Sequence, residues 1–246
     1  VTASGSRAAA GGPARGRDGA EGMHRWLDVE RFRCSGVRVV ELRRVERPAV
    51  VLGSTQRAGT LDAAACAAAG VDVVRRRSGG GAVLVRPADP LWCDVWLPRH
   101  DPLWDDDVTS APHWVGEWWS SALRALGVDD ASVHRGGMMA GPLSDVVCFA
   151  GIGPGEVTVA GRKLVGVAQW RCRQGGLFHC AAYRRWEPSS LLRLLAGPLD
   201  AAAREPVYEA AVGLEQLLGH DEAPARIVDA LVDALPPGAT WELVRD

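Results

Sequence analysis

The stretch Gly161-Arg162-Lys163-Leu164-Val165-Gly166-Val167-Ala168-Gln169 carries the only lysine of the chain, set against 27 arginines. Asparagine is absent altogether. Such a composition points to a pressure that turns lysine into arginine wherever a long cation suffices. The lysine that remains is either a chance survivor on the surface or a residue whose task arginine cannot perform. An ammonium is a compact point charge, whereas a guanidinium is a broad planar fork. A site that aims one small cation at a developing negative charge would reject arginine. Ala160-Gly161 reads as a tight turn into a strand over 162–170, and 177–183 reads as the strand that pairs with it.

About eighty residues upstream stands Arg75-Arg76-Arg77-Ser78-Gly79-Gly80-Gly81-Ala82-Val83. A strand over 71–74 delivers the chain into it, and a strand over 82–85 leads out. Glycines let backbone approach a ligand and expose N–H donors, and arginines add bidentate donors for carboxylate or phosphate. A P-loop or a dinucleotide loop would open into a helix, and this one opens into a strand. Taken alone, the segment fits either an anion-binding loop or a glycine-rich hairpin with a basic edge.

The rest of the chain frames these two segments. A length of 246 residues with 47% hydrophobic content supports one large domain, or one domain with a small appendage. A formal charge of −2 gives no basic footprint for duplex nucleic acid. No apolar run reaches the length of a membrane span. The six cysteines, Cys34, Cys66, Cys93, Cys148, Cys172 and Cys180, form no C-x-x-C pair and suit reduced thiols in the cytoplasm. The ten tryptophans read as core or groove walls.

Residues 1–22 lack hydrophobic periodicity and read as a disordered tail, with Met23 a candidate start. Strands are expected over 37–42, 49–53, 91–97, 145–149 and 156–159, and helices over 60–69 and 114–126. Helices over 191–195, 207–218 and 223–235 close the chain. Strands in the middle and helices late give an α+β fold. The expected division is a tail over 1–22, a catalytic domain over 23–197 and a small helical segment over 198–246.

Together the two motifs resemble R-R-x-S/T-G-G-x-A-V and G-x-K-x-x-G-x-A-Q of the lipoate–protein ligase and octanoyltransferase family, which shares its catalytic fold with biotin–protein ligases. Cys148-Phe149 and Gly155-Glu156-Val157 resemble the C-F…E segment that precedes the lysine in that family. The resemblance covers residues 35–195. It implies a mixed, largely antiparallel sheet flanked by helices, with a short helical C-terminal tail and an acyl tunnel beside the glycine loop. It also implies an enzyme that activates lipoate or octanoate with ATP and Mg2+ and passes the acyl group to a lysine of a lipoyl carrier domain.

On that reading Lys163 is catalytic, holding carboxylate and phosphate oxygens from the mouth of a cleft. Arg75, Arg76, Ser78, Gly79, Gly80, Gly81, Ala82, Gly166, Ala168 and Gln169 bind the acyl or adenylate group. No protein ligand for a metal is implied. Cys148 stands where the family's cysteine-dependent transferases carry a nucleophile that takes octanoate from an acyl carrier protein. It is equally readable as a structural thiol. A non-catalytic relative that binds a lipoyl-like acid is a further reading, and biotin suits the paired motifs less well than lipoate. The chain departs from the family pattern at Val85-Arg86, at Val167, at His179-Cys180 and in the bulky segment 91–96.

Overall fold

A computed structural model describes Val29, Phe32, residues 35–219 and residues 223–245. The expected tail over 1–22 and Met23 lie outside the described residues. In chain order the elements are β1 (Arg38–Arg43), β2 (Ala49–Leu52), α1 (Ala63–Ala68), β3 (Asp72–Arg75), β4 (Val83–Val85), β5 (Leu91–Pro98), α2 (His113–Ala125), β6 (Ser132–Val133), β7 (Val157–Val159), β8 (Arg162–Arg171), β9 (Gly175–Ala182), α3 (Ser189–Leu192), α4 (Ala201–Glu209), α5 (Leu214–Leu218), α6 (Ala223–Asp233) and β10 (Trp241–Arg245). Seven strands form one sheet in the order β10-β1-β5-β9-β8-β7-β6, and β3-β2-β4 form a second. Pairing is antiparallel except between β1 and β10 and between β2 and β3. The fold is therefore the mixed, largely antiparallel sheet with flanking helices that the motifs implied.

Two-residue alternation divides the large sheet into two faces. Val95, Cys93, Phe178, Cys180, Val165 and Val167 share one face with the apolar side of α2 and α6. There Trp118 and Trp119 of α2 are buried, and the Trp118 indole donates to Leu231 O at 2.7 Å. A fully buried large apolar side chain contributes about 1.5–3 kcal/mol, so this face anchors the domain. On the opposite face Asp94, His179 and Ala168 lie side by side across β5, β9 and β8. The second sheet packs over one end of that opposite face, in a core shared by Val50, Val51, Leu84, Trp92, Phe149, Tyr183 and Trp186.

Three segments differ from the sequence-based expectation. Residues 145–149 are not a strand, because Cys148–Ala150 closes into a 3-10 turn. The helix expected over 207–218 is broken between α4 and α5. Its middle leaves the helix to pair with β8, with Lys163 N–H donating to Ala210 O and Val212 N–H to Lys163 O, both at 2.9 Å. Gly213 permits the bend, since a Cβ there would lie 2.4 Å from Arg184 O. The C-terminal segment also contributes a strand, β10, which extends the main sheet beyond β1.

Candidate active site

The β7–β8 hairpin places the lysine. Val159 pairs with Arg162 across Ala160-Gly161, whose φ values are +50° and +76°. Two consecutive positive φ angles are the signature of a tight primed turn, and glycine at the second position meets it without strain. Register then shifts between Val157 and Thr158, which pair with Val165 and Lys163 respectively, so Leu164 is an extra residue on β8. Leu164 and Val165 both enter the helix-side core. The bulge thereby turns Lys163 to the opposite face, the one that Gly166 occupies. A Cβ at Gly166 would lie 3.2 Å from Lys163 Cε and from Phe149 Cε2, so glycine leaves room for the lysine stem.

Lys163 is 1% exposed. The expectation of a lysine at the mouth of a cleft is corrected: its stem is enclosed by Phe149, with Nζ 5.0 Å from the ring centroid. Nζ lies 2.7 Å from Glu156 Oε1, 2.8 Å from Cys148 O and 3.1 Å from Gly151 O. Its fourth neighbour is Cys148 Sγ at 3.9 Å. Glu156, 4% exposed, is itself fixed. Its Oε2 accepts from Gly153 N–H at 2.7 Å, and its Oε1 accepts from Val167 N–H at 3.2 Å. Cys148 is half-buried, with a free thiol.

The glycine loop reaches this cluster through its backbone. Ala82 N–H donates to Val146 O at 2.7 Å, and Cys148 N–H donates to Ala82 O at 3.1 Å. Gly81 is pressed so closely on this segment that a Cβ would lie 2.5 Å from Cys148 N. Arg76 organises the loop from within. It is 2% exposed and donates to Ser78 Oγ, Val51 O, Gly79 O and Gly81 O at 2.7–3.1 Å. Burial lowers its pKa, and the charges of Cys148 and Glu156 draw it back up. Ser78 is buried beneath the loop. The N–H groups of Gly79, Gly80 and Gly81 have no hydrogen-bond partner among the described residues.

The remaining candidates separate. Arg75 turns away and donates to Gly53 O and Gln56 O, which ties down the neighbouring turn. Ala168 lies on the same face of β8 as Gly166, one step beyond it and opposite His179. Gln169 points to the other side and donates to Val108 O. Arg77, which the sequence did not single out, lies over Trp170 at 5.5 Å and links the loop to the far end of β8. Glu156 is the functional residue that sequence reasoning left without a role. Its signal in the sequence was its place in the C-F…E segment ahead of the lysine, which carried no role with it.

The fold is that of lipoate protein ligase catalytic domains. The bi-partite lipoate protein ligase of the Thermoplasma acidophilum lipoylation system aligns over 90% of this chain and 82% of its own, with a TM-score of 0.68 and 19% identity. Lipoate-protein ligase A bound with ATP aligns over 85% of this chain and 75% of its own, with a TM-score of 0.61 and 21% identity. These likenesses establish the fold. The profile of the lipoyl protein ligase A/B catalytic domain matches residues 38–236, and the chain belongs to that family. It is similar to the octanoyltransferase LipM of Kyrpidia tusciae, 32% identical over 193 residues that span 76% of this chain and 70% of the relative. The octanoyltransferase LipM of Moorella thermoacetica is 30% identical over 195 residues, spanning 76% and 69%. The protein is an enzyme of the lipoate ligase and octanoyltransferase type. No helix among the described residues is long and apolar enough to cross a membrane.

Proposed function

We propose that the protein is a cysteine-dependent acyltransferase that moves octanoate, or a close medium-chain relative, from a thioester donor to a lysine of a lipoyl carrier domain. One observation carries this reading: the half-buried Cys148 thiol lies 3.9 Å from the buried Lys163 ammonium, under the backbone of the glycine loop. A fixed cation beside sulphur stabilises the thiolate, which is the nucleophilic form. The similarity to octanoyltransferases supports the same choice.

Two transfers complete the reaction, and they balance. The Cys148 thiolate attacks the donor's thioester carbonyl; a new C–S bond forms, and the donor leaves as its own thiolate. The amine of the acceptor lysine then attacks the acyl-Cys148 carbonyl. An amide bond forms, Cys148 leaves as thiolate, and the amine's proton passes to solvent. Each step passes through a tetrahedral oxyanion. The N–H groups of Gly79 and Gly80, unpartnered among the described residues, are the donors available to it, while the Lys163 protons are already engaged. Ala168, a small and half-buried residue on the same face of β8 as Lys163, would leave space for the acyl chain. An acyl carrier protein is the donor this scheme calls for, and reduced thiols would suit a reducing compartment such as the cytoplasm.

The ligase alternative would bring in ATP and Mg2+; the transfer above needs neither. The deciding experiment offers a lipoyl carrier domain two acyl sources and reads its mass. Octanoyl-loaded acyl carrier protein without ATP should modify the carrier. Octanoate with ATP and Mg2+ should not. The reverse pattern would replace the transferase with a ligase.

A further inference from the structure

The polar row of the large sheet ends on a nitrogen with no hydrogen-bond partner among the described residues. Glu41, Asp94, His179 and Ala168 stand abreast on β1, β5, β9 and β8. Asp94 is fully engaged. Its Oδ2 accepts from Arg43 Nε and Nη2 at 3.0 and 2.9 Å, and its Oδ1 accepts from Trp92 Nε1 at 2.8 Å. The same Oδ1 lies 2.6 Å from His179 Nδ1. Arg43 is held in turn by Glu41 Oε1 at 2.7 Å. His179 is 3% exposed, and its Nε2 is the buried atom left over. In a network otherwise so well paired, such an atom calls for a partner from outside the chain.

We propose that His179 is a specificity residue for the acyl chain, and that the acyl group this enzyme prefers carries a hydroxyl, which bonds to Nε2. The inference deepens the proposed transferase reading by naming its substrate class, and it rests on that reading for the place of the acyl chain.

Direction and reach both fit. The Asp94 carboxylate fixes the ring through Nδ1. The two nitrogens of an imidazole face nearly opposite ways, and β5 and β8 flank β9 on opposite sides. With Nδ1 turned to β5, Nε2 is turned toward β8, above Ala168. That residue is small and half-buried, which leaves room beside the ring. Ala168 lies two residues, about 7 Å, beyond Gly166, against which the Lys163 stem packs. An acyl chain with its carbonyl at Cys148 therefore passes His179 with the half remote from the carbonyl.

The chemistry selects a hydroxyl. On β5, β9 and β8 the neighbouring rows are apolar: Trp96, Leu177 and Trp170 on one side, Trp92, Ala181 and Gly166 on the other. Carbons of a chain laid there meet carbons, and only the polar row can read a substituent. A plain alkyl chain over Ala168 leaves Nε2 buried and unpaired. A hydroxyl donates to the ring's lone pair or accepts from an Nε2–H, so it satisfies the nitrogen in either charge state. A keto oxygen only accepts, and meets one state alone. Octanoyl remains a substrate on this account, and a poorer one.

The test compares octanoyl-loaded acyl carrier protein with the same carrier bearing an octanoyl group hydroxylated at one of its last three carbons. A lipoyl carrier domain is the acceptor. The wild type should transfer at least one hydroxyoctanoyl group with a kcat/KM about tenfold or more above that of octanoyl. His179→Leu should bring that ratio to about one or below. Octanoyl equal or preferred to all three in the wild type would overturn the proposal and leave His179 a member of a structural network only. A preference that survives His179→Leu would overturn it as well. The wild-type order decides even if the variant fails to fold. Titration calorimetry with the free acids requires no thioester and separates the two readings. If no acyl-Cys148 forms with any donor, yet a hydroxyoctanoate binds about tenfold tighter than octanoate, the transferase reading fails and the His179 assignment stands. If octanoyl and hydroxyoctanoyl pass equally well through acyl-Cys148, the transferase reading stands and the His179 assignment fails.

Discussion

Replacing Lys163 with methionine should unfold the protein at a markedly lower temperature, although methionine nearly matches the lysine stem in shape. The substitution strands the Glu156 carboxylate, 4% exposed, without its cation. Removing one partner of a buried ion pair costs about 3–5 kcal/mol. Cys148 O and Gly151 O also lose a donor, while the apolar side chain repacks against Phe149 and returns part of the loss. A net cost of about 4 kcal/mol follows. For a chain of 246 residues, each kcal/mol moves Tm by about 2–4 °C, so the expected fall is about 8–16 °C. Urea denaturation and calorimetry on wild type, Lys163→Met, Glu156→Gln and the double variant form a cycle. The double variant should recover most of the loss, with a coupling of about 2 kcal/mol or more. A Tm change below about 2 °C in Lys163→Met would show that the lysine is a solvated surface cation and would refute the buried-pair argument.

Lys163→Arg should be nearly as inactive as Lys163→Met. A guanidinium there displaces the reacting groups, and a misplacement of about 1 Å can cost on the order of a hundredfold in rate. Retention of a third of the wild-type kcat/KM would refute this. Gly81→Ala should abolish transfer, because its Cβ would meet the Cys148 and Val147 backbone at 2.5 and 2.6 Å and lift the loop off the nucleophile. Kinetics like those of the wild type would show that the loop need not seat there. Gly166→Ala should lower kcat about tenfold or more while leaving the fold intact, since its Cβ would crowd Lys163 Cε and Phe149 at 3.2 Å. Circular dichroism and steady-state kinetics check both glycine variants.

The motifs were legible because each depends on local chemistry. Glycines that run into an apolar strand exclude the helix-opening phosphate loops, and the turn at Ala160-Gly161 is marked by its own residues. The lone lysine stood out by count. What escaped was set by pairing across the chain. A strict two-residue period puts Lys163 and Gly166 on opposite faces of β8, and only the bulge at Leu164 brings them to the same one. Residues 210–212 have helical neighbours and helical composition, yet they leave the helix to satisfy the Lys163 backbone. Cys148 reads as part of a strand until Ala82 docks beside it and the chain turns. Glu156 stands in the C-F…E segment in sequence, but what it touches appears only once Nζ is found beside it. Arg76 reads as a ligand-binding arginine, and only the structure shows it enclosed by the loop it shapes.

The acyl-enzyme itself tests the account most directly. Wild-type protein and Cys148→Ser are each mixed with octanoyl-loaded acyl carrier protein, without an acceptor, and their intact masses and peptides are read. The wild type should carry one octanoyl group on Cys148, labile to hydroxylamine, and should lose it when a lipoyl carrier domain is added and that domain gains the same mass. Cys148→Ser should neither hold the group nor pass it on. Undiminished transfer by Cys148→Ser, or transfer by the wild type with no acyl-Cys148 formed, would contradict the assignment of Cys148 as nucleophile.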